Sequence, residues 1–223
     1  MNGSLKGAIF DMDGTLLDSM TAWDGVGEAF LQSQGITPPD GLGRILAPLS
    51  FTQTARYFQS LGVSLDEETI LARLNGCVER KYRESLPLKP GAKALVEWLS
   101  GKGVRLCVAT ATHPRLAKAA LARTGILPFF SFVLSCKEAG YPKDQPAFYE
   151  RAAALLGTKK EETVVFEDAL YCVKSAKAAG FRVVGVFDPS EPQADEVKKR
   201  ADGYFASLEQ APQTMKAWWE EWT

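Results

Sequence analysis

Two aspartates separated by one residue, Asp11 and Asp13, end a short apolar run and lead into Gly14 and Thr15. Far along the chain, a Thr110-Ala111-Thr112 triplet and a Glu167-Asp168 pair end apolar runs in the same way. Carboxylates gathered from such ends repel one another unless a hard cation neutralises them, and oxygen donors with few nitrogens suit magnesium. With that cation in place a carboxylate can attack a phosphoryl group, because the metal screens the repulsion between two anions. Asp11 is then best placed as the nucleophile. Asp13 can protonate a leaving alkoxide and later deprotonate the hydrolytic water. Gly14 lets the backbone approach a phosphate and offers N–H donors, to which Thr110 adds a hydroxyl and Ala111 an amide. Lys143, in Tyr141-Pro142-Lys143-Asp144-Gln145-Pro146, is the candidate for the fixed positive charge that a phosphoryl transition state needs.

Each of these residues also has a purely structural use. Asp-Gly is a common turn signal, Thr110 could cap a following helix, and Glu167-Asp168 could be a first-turn pair favoured by the helix dipole. Only their joint appearance at the ends of apolar runs selects catalysis over these alternatives.

For such distant residues to meet, the elements that carry them must share one edge of a sheet. Lys6 to Asp11, Val104 to Ala109, Ser131 to Leu134, Thr163 to Phe166 and Arg182 to Phe187 read as buried strands, several bounded by glycine or charge. Helical stretches lie between them at Ala92 to Ser100, Arg115 to Arg123, Ala147 to Leu156 and Ala169 to Ala179. Alternation of this kind gives an α/β fold, a Rossmann-like doubly wound parallel sheet reached by right-handed crossovers, whose ligands bind beyond the carboxyl ends of the strands.

Residues 20–85 break the alternation and read as helices alone. Ile70, Leu71, Leu74, Cys77, Val78 and Tyr82 recur at helical spacing after a capping box of Ser64 and Glu67, and Trp23, Val26, Phe30 and Leu31 form an earlier amphipathic face. The expected organisation is therefore an α/β core of residues 1–19 and 86–223, with an inserted helical cap domain of residues 20–85. Ala217 to Thr223 reads as a last helix that docks aromatic side chains on the core.

The balance of 26 basic and 27 acidic residues gives a net charge of -1, which provides no field to attract nucleic acid or an anionic membrane. No apolar run approaches the length that spans a bilayer, and the first residues lack the apolar stretch of a signal peptide. Cys77, Cys107, Cys136 and Cys172 show no metal-binding spacing and read as reduced core residues of a cytoplasmic protein. The expected partner is a small phosphorylated metabolite, and a monomer is expected.

These residues resemble the haloacid dehalogenase superfamily, whose four motifs are matched in order by Asp11-Met12-Asp13-Gly14-Thr15-Leu16-Leu17-Asp18-Ser19, Val108-Ala109-Thr110-Ala111-Thr112, Lys143, and Val165-Phe166-Glu167-Asp168-Ala169. The resemblance implies a helical cap inserted after the first motif and an aspartyl-phosphate intermediate. It implies magnesium bound by the carboxylates of Asp11 and Asp168, by the main-chain carbonyl of Asp13 and through water by Glu167. Lys143 fits the variant with Lys-Asp before a Pro two residues on, rather than the commoner Lys-Pro pattern. An acidic residue at position 13 favours phosphate esters over dehalogenation. The similar architectures are those of β-phosphoglucomutase and of the sugar-phosphate and phosphoglycolate phosphatases. Trp23 aligns to a histidine of the mutase, and Ala47 and Phe51 to basic cap residues, so hydrolysis is expected rather than mutase action. Substrate choice in the family lies largely in the cap, which makes Trp23, Arg44 and the Pro48-Leu49-Ser50 loop candidates to face the leaving group. His113 precedes Pro114, which suggests a helix start, and is read as structural or as a peripheral substrate contact.

A phosphate-accepting switch domain also uses clustered aspartates, magnesium, a hydroxyl and a lysine on a doubly wound sheet. The helical insert argues against it, because a switch must leave its aspartate open to a partner protein. An inactive phospholigand-binding protein would have lost a member of the constellation, and none is missing.

Overall fold

The computed structural model describes residues 5–46 and 49–222, without the side chains of Phe51 and residues 219–222. Ala47 and Pro48 lie outside the described residues. The chain divides into two compact units, Met1–Ser19 with Leu86–Thr223, and Met20–Ser85.

The first unit is built on a six-stranded parallel sheet. Its strands are β1 (Gly7–Phe10), β2 (Arg105–Thr110), β3 (Phe130–Ser135), β4 (Thr163–Glu167), β5 (Arg182–Val186) and β6 (Gly203–Phe205), in the order β3-β2-β1-β4-β5-β6. β1 and β4 are buried at every residue, as expected for central parallel strands covered by helices on both faces, and so they read as unbroken apolar runs. The Phe10 and Phe166 rings stack with centroids 4.4 Å apart. Each fully buried ring contributes roughly 1.5–3 kcal/mol relative to exposure, which pins the register of this strand pair. Phe10 is therefore opposite Phe166, and the Asp11 amide donates to the Phe166 carbonyl at 2.9 Å. Asp11, the residue after β1, and Glu167, the last residue of β4, are thereby brought to one edge at the point where strand order reverses.

β6 was not foreseen. It is a three-residue edge strand whose first two residues are only half-buried, so no apolar run announces it. Trp218 packs against it, with its ring centroid 5.1 Å from that of Phe205. The final helix, Ala211–Trp222, starts six residues before the aromatic segment that suggested it.

In the helical unit, helix Glu67–Glu84 buries Ile70, Leu74, Val78 and Tyr82 at four-residue spacing. Its cap corrects the expected Ser64–Glu67 box. Asp66 accepts from the Thr69 amide at 2.7 Å and from its hydroxyl at 2.8 Å, while Glu67 pairs with Arg56 at 2.8 Å. A carboxylate is a stronger acceptor at a helix start, and it lies one residue ahead of the first helical position. The capping box of this unit is instead Ser50 with Gln53, opening helix Phe51–Ser60. The four cysteines are free; Cys107 and Cys172 are buried in the core, Cys136 is partly buried and packs against it, and Cys77 is partly exposed on the helical unit. Among the described residues no helix is long and apolar enough to cross a membrane.

Candidate active site

The loop after β1 curls on itself. Met12 accepts from the amides of Leu16 and Leu17 through its carbonyl, and the Gly14 amide donates to the Leu17 carbonyl at 3.0 Å. Gly14 has φ 81, a conformation open to glycine, and a Cβ there would collide with Asp168 Oδ2. The glycine is therefore required both by the turn and by the carboxylate beside it.

Carboxylate oxygens of Asp11, Glu167 and Asp168 all lie within 4.8 Å of one another, and all three residues are buried. The Lys143 ammonium reaches Asp11 Oδ1 at 2.5 Å and Glu167 Oε1 at 2.6 Å, with only 5% of its side chain exposed. It comes from the loop ahead of helix Pro146–Leu156. Thr15 donates its hydroxyl to Asp168 Oδ1 at 3.0 Å, and Tyr149 donates to Glu167 Oε1 at 2.8 Å.

The electrostatics follow from this crowding. Burial pushes Asp168 up from the usual carboxylate range, and the Asp11 and Glu167 charges push it further. Burial likewise raises Glu167, with Lys143 opposing. Burial alone would lower Lys143, but Asp11 and Glu167 more than reverse that and hold the ammonium charged. Three carboxylates against one ammonium leave two negative charges, which one divalent cation balances. Glu167 Oε2 is buried with no hydrogen-bond partner, an unmet acceptor of the kind that a hard cation or its water satisfies. The donor set is all oxygen, and it fits magnesium better than zinc or copper.

Asp13 stands apart from that trio. Its Oδ1 accepts from the Ser19 hydroxyl at 2.6 Å and its Oδ2 from the Thr112 hydroxyl at 2.6 Å. Thr110, buried at the end of β2, accepts from the Thr112 amide at 3.0 Å, and Ala111 is exposed beside it.

A family model for haloacid dehalogenase-like hydrolases matches residues 5–180, which takes in all of these side chains. The chain belongs to that family. Among relatives of this haloacid dehalogenase-like chain, hexitol phosphatase A of Escherichia coli is 32% identical over 206 residues, covering 92% of each chain. A phosphorylated carbohydrates phosphatase of Thermotoga maritima is 27% identical over 184 residues, covering 82% of this chain and 85% of its own. In fold, a Thermotoga maritima structure assigned as a β-phosphoglucomutase superposes with a TM-score of 0.84 at 24% identity, covering 96% of this chain and 99% of its own. The protein is an enzyme of the family's phosphatase kind.

The remaining expected residues of this haloacid dehalogenase-like chain fall elsewhere. His113 is the N-cap of helix Pro114–Arg123, and its Nδ1 accepts from the Arg115 amide at 3.2 Å. That resolves the competition for the cap, which His113 fills rather than Thr110. In the helical unit, Trp23 and Ser50 line one largely apolar cavity of about 690 Å³ with Val26, Leu49, Phe58 and Leu74. The Ser50 hydroxyl there accepts from the Gln53 amide, and Arg44 is exposed and absent from the lining. Thr15, Ser19, Thr112 and Tyr149 are site residues to which no sequence motif assigned a role of their own. Tyr149 carried a usable signal, since a phenol on the buried face of a helix must find a hydrogen-bond partner.

Proposed function

We propose that the protein is a magnesium-dependent phosphatase of small sugar or sugar-alcohol phosphates that works through an aspartyl-phosphate on Asp11. The observation that carries this reading is the contact of buried Lys143 with both Asp11 and Glu167, beside Asp168. That arrangement leaves two negative charges, which suit one divalent cation. The phosphatases of hexitols and phosphorylated carbohydrates among the relatives support the substrate class.

Magnesium, held by the carboxylates of Asp11 and Asp168 and the Asp13 carbonyl, with Glu167 acting through water, would neutralise phosphate charge when bound. Asp11 then attacks phosphorus, the bond from phosphorus to the leaving oxygen breaks, and that oxygen takes the proton carried by Asp13. In the second step Asp13, now ionised, removes a proton from water. The resulting hydroxide attacks phosphorus, the bond to Asp11 breaks, and inorganic phosphate leaves. Lys143 holds Asp11 in place and offsets charge on the phosphoryl oxygens, while the Ala111 amide and the Thr110 hydroxyl donate to them. The Gly14 amide, expected from the sequence to help, is committed to the Leu17 carbonyl, so Gly14 serves by leaving room for the Asp168 carboxylate. Substrate choice is assigned to the helical unit through Trp23, Arg44 and Ser50, as the family resemblance implies.

A panel of phosphorylated metabolites, assayed for phosphate release in magnesium and ranked by kcat/KM, tests the reading. Sugar or sugar-alcohol phosphates are expected at the top, chelator should stop turnover, and Asp11→Asn should abolish it without unfolding the chain. Isomerised sugar phosphate in place of free phosphate would make the enzyme a mutase, and a stoichiometric burst without turnover would make it a switch.

A further inference from the structure

We propose that Thr112 is a positioning residue that holds Asp13 in line for proton transfer. The inference rests on the role given to Asp13 above. A carboxyl group that delivers a proton must present a chosen oxygen at a fixed angle, and displacement on the scale of an ångström can cost about a hundredfold in rate. Rotation of the Asp13 carboxyl is opposed at both oxygens, by Ser19 from the end of the same loop and by Thr112 from beyond β2. The two anchors differ in kind. Ser19 is six residues from Asp13 in sequence and moves with its loop, whereas Thr112 is 99 residues away and ties that loop to a different strand.

Thr112 is itself fixed, because its amide donates to the buried hydroxyl of Thr110. That bond holds the backbone from which the Thr112 side chain reaches out, and the hydroxyl donates to Asp13 Oδ2. The 2.6 Å separation lies within the ordinary O–H···O range, close enough for Thr112 to restrain the Asp13 carboxyl.

The consequence is specific to the leaving group. A p-nitrophenolate departs as a stable anion and gains little from an acid, whereas phenolate, with a conjugate acid of pKa about 10, gains much more. Thr112→Val keeps the shape of the side chain and removes the hydroxyl. In magnesium, kcat/KM of this variant is expected to fall about tenfold further for phenyl phosphate than for p-nitrophenyl phosphate, relative to wild type. Thr112→Ser, which keeps the hydroxyl, should restore the wild-type ratio. In an Asp13→Asn background, Thr112→Val should no longer change the ratio.

An equal loss on both esters would make Thr112 a phosphate contact or a structural residue and overturn the inference, as would no loss. A changed ratio that Thr112→Ser does not restore would also overturn it. If wild type releases phosphate from neither ester nor from any metabolite of the panel, the phosphatase reading itself fails and takes this inference with it.

Discussion

The Tyr149 hydroxyl stands 2.8 Å from Glu167 Oε1, the same oxygen that the Lys143 ammonium approaches at 2.6 Å. One carboxylate oxygen therefore has two donors while Oε2 has none, which keeps the second oxygen available to a cation or its water. Tyr149→Phe removes a single donor from a ring that stays packed. We expect kcat on p-nitrophenyl phosphate to fall about tenfold, equivalent to about 1.4 kcal/mol, with KM within about twofold. The melting temperature should change little, because the lost hydrogen bond is offset by no longer burying a hydroxyl. Unchanged kcat would mean that Lys143 alone holds Glu167.

Lys143 carries the only positive charge that the described contacts bring to the Asp11 and Glu167 carboxylates. Lys143→Ala should cost at least about a hundredfold in kcat, as for removal of a charge that stabilises an oxyanion. It also leaves buried carboxylates uncompensated, a loss of roughly 3–5 kcal/mol where no cation replaces the ammonium. Magnesium should therefore raise the melting temperature of Lys143→Ala by more than it raises that of wild type. Calorimetry with magnesium and with chelator measures both shifts, and equal shifts would place the cation away from these carboxylates.

Gly14 faces the Asp168 carboxylate at φ 81, where any Cβ meets an oxygen that the proposed cation needs. Gly14→Ala combines backbone strain of about 1–3 kcal/mol with displacement of Asp168. The expected result is activity reduced by at least about a hundredfold and weaker magnesium binding by isothermal titration, in a chain that still folds. Wild-type magnesium affinity in that variant would separate the glycine from the metal site.

The parts of the site that were legible in the sequence are those set by backbone register. Strands buried on both faces read as apolar runs, and Asp11, Thr110 and Glu167 stand where those runs stop, so their meeting follows from strand order. Lys143 lies on a loop, where no periodicity placed it, and its motif alone did so. The hydroxyls that orient the acids were not legible. The Thr112–Asp13 bond joins two loops through side-chain rotamers, and the Tyr149–Glu167 bond joins a helix to a strand, and neither leaves a pattern along the chain. β6 was missed for a different reason, since an edge strand of Gly-Tyr-Phe needs no apolar run to pair with β5.

A second buried ion pair lies on the carboxyl side of β5, where Lys89 meets Asp188 at 2.8 Å with 12% and 0% of their side chains exposed. Lys89 also donates to the Phe187 carbonyl at 2.5 Å, and Asp188 Oδ1 accepts from the Ser190 amide at 2.9 Å and from its hydroxyl at 2.5 Å. Burial by itself would raise the Asp188 carboxyl, but the Lys89 and Ser190 hydrogen bonds and the Lys89 charge outweigh it and hold the group below the usual carboxylate range. Because Asp188 ionises at lower pH in the folded chain than in the unfolded one, its contribution to stability is complete above about pH 4–5, and it is lost as pH falls through the depressed folded value. Asp188→Asn should therefore destabilise the protein at pH 7 by roughly 1.5–3 kcal/mol, the range for hydrogen bonds to charged groups. The gap from wild type should narrow as pH drops below about 4, where the native aspartate is itself becoming neutral. Urea unfolding of both proteins at a series of pH values reads this directly, and a gap that stays constant down to the acid limit would show that packing, rather than the charge of Asp188, holds this corner of the sheet together.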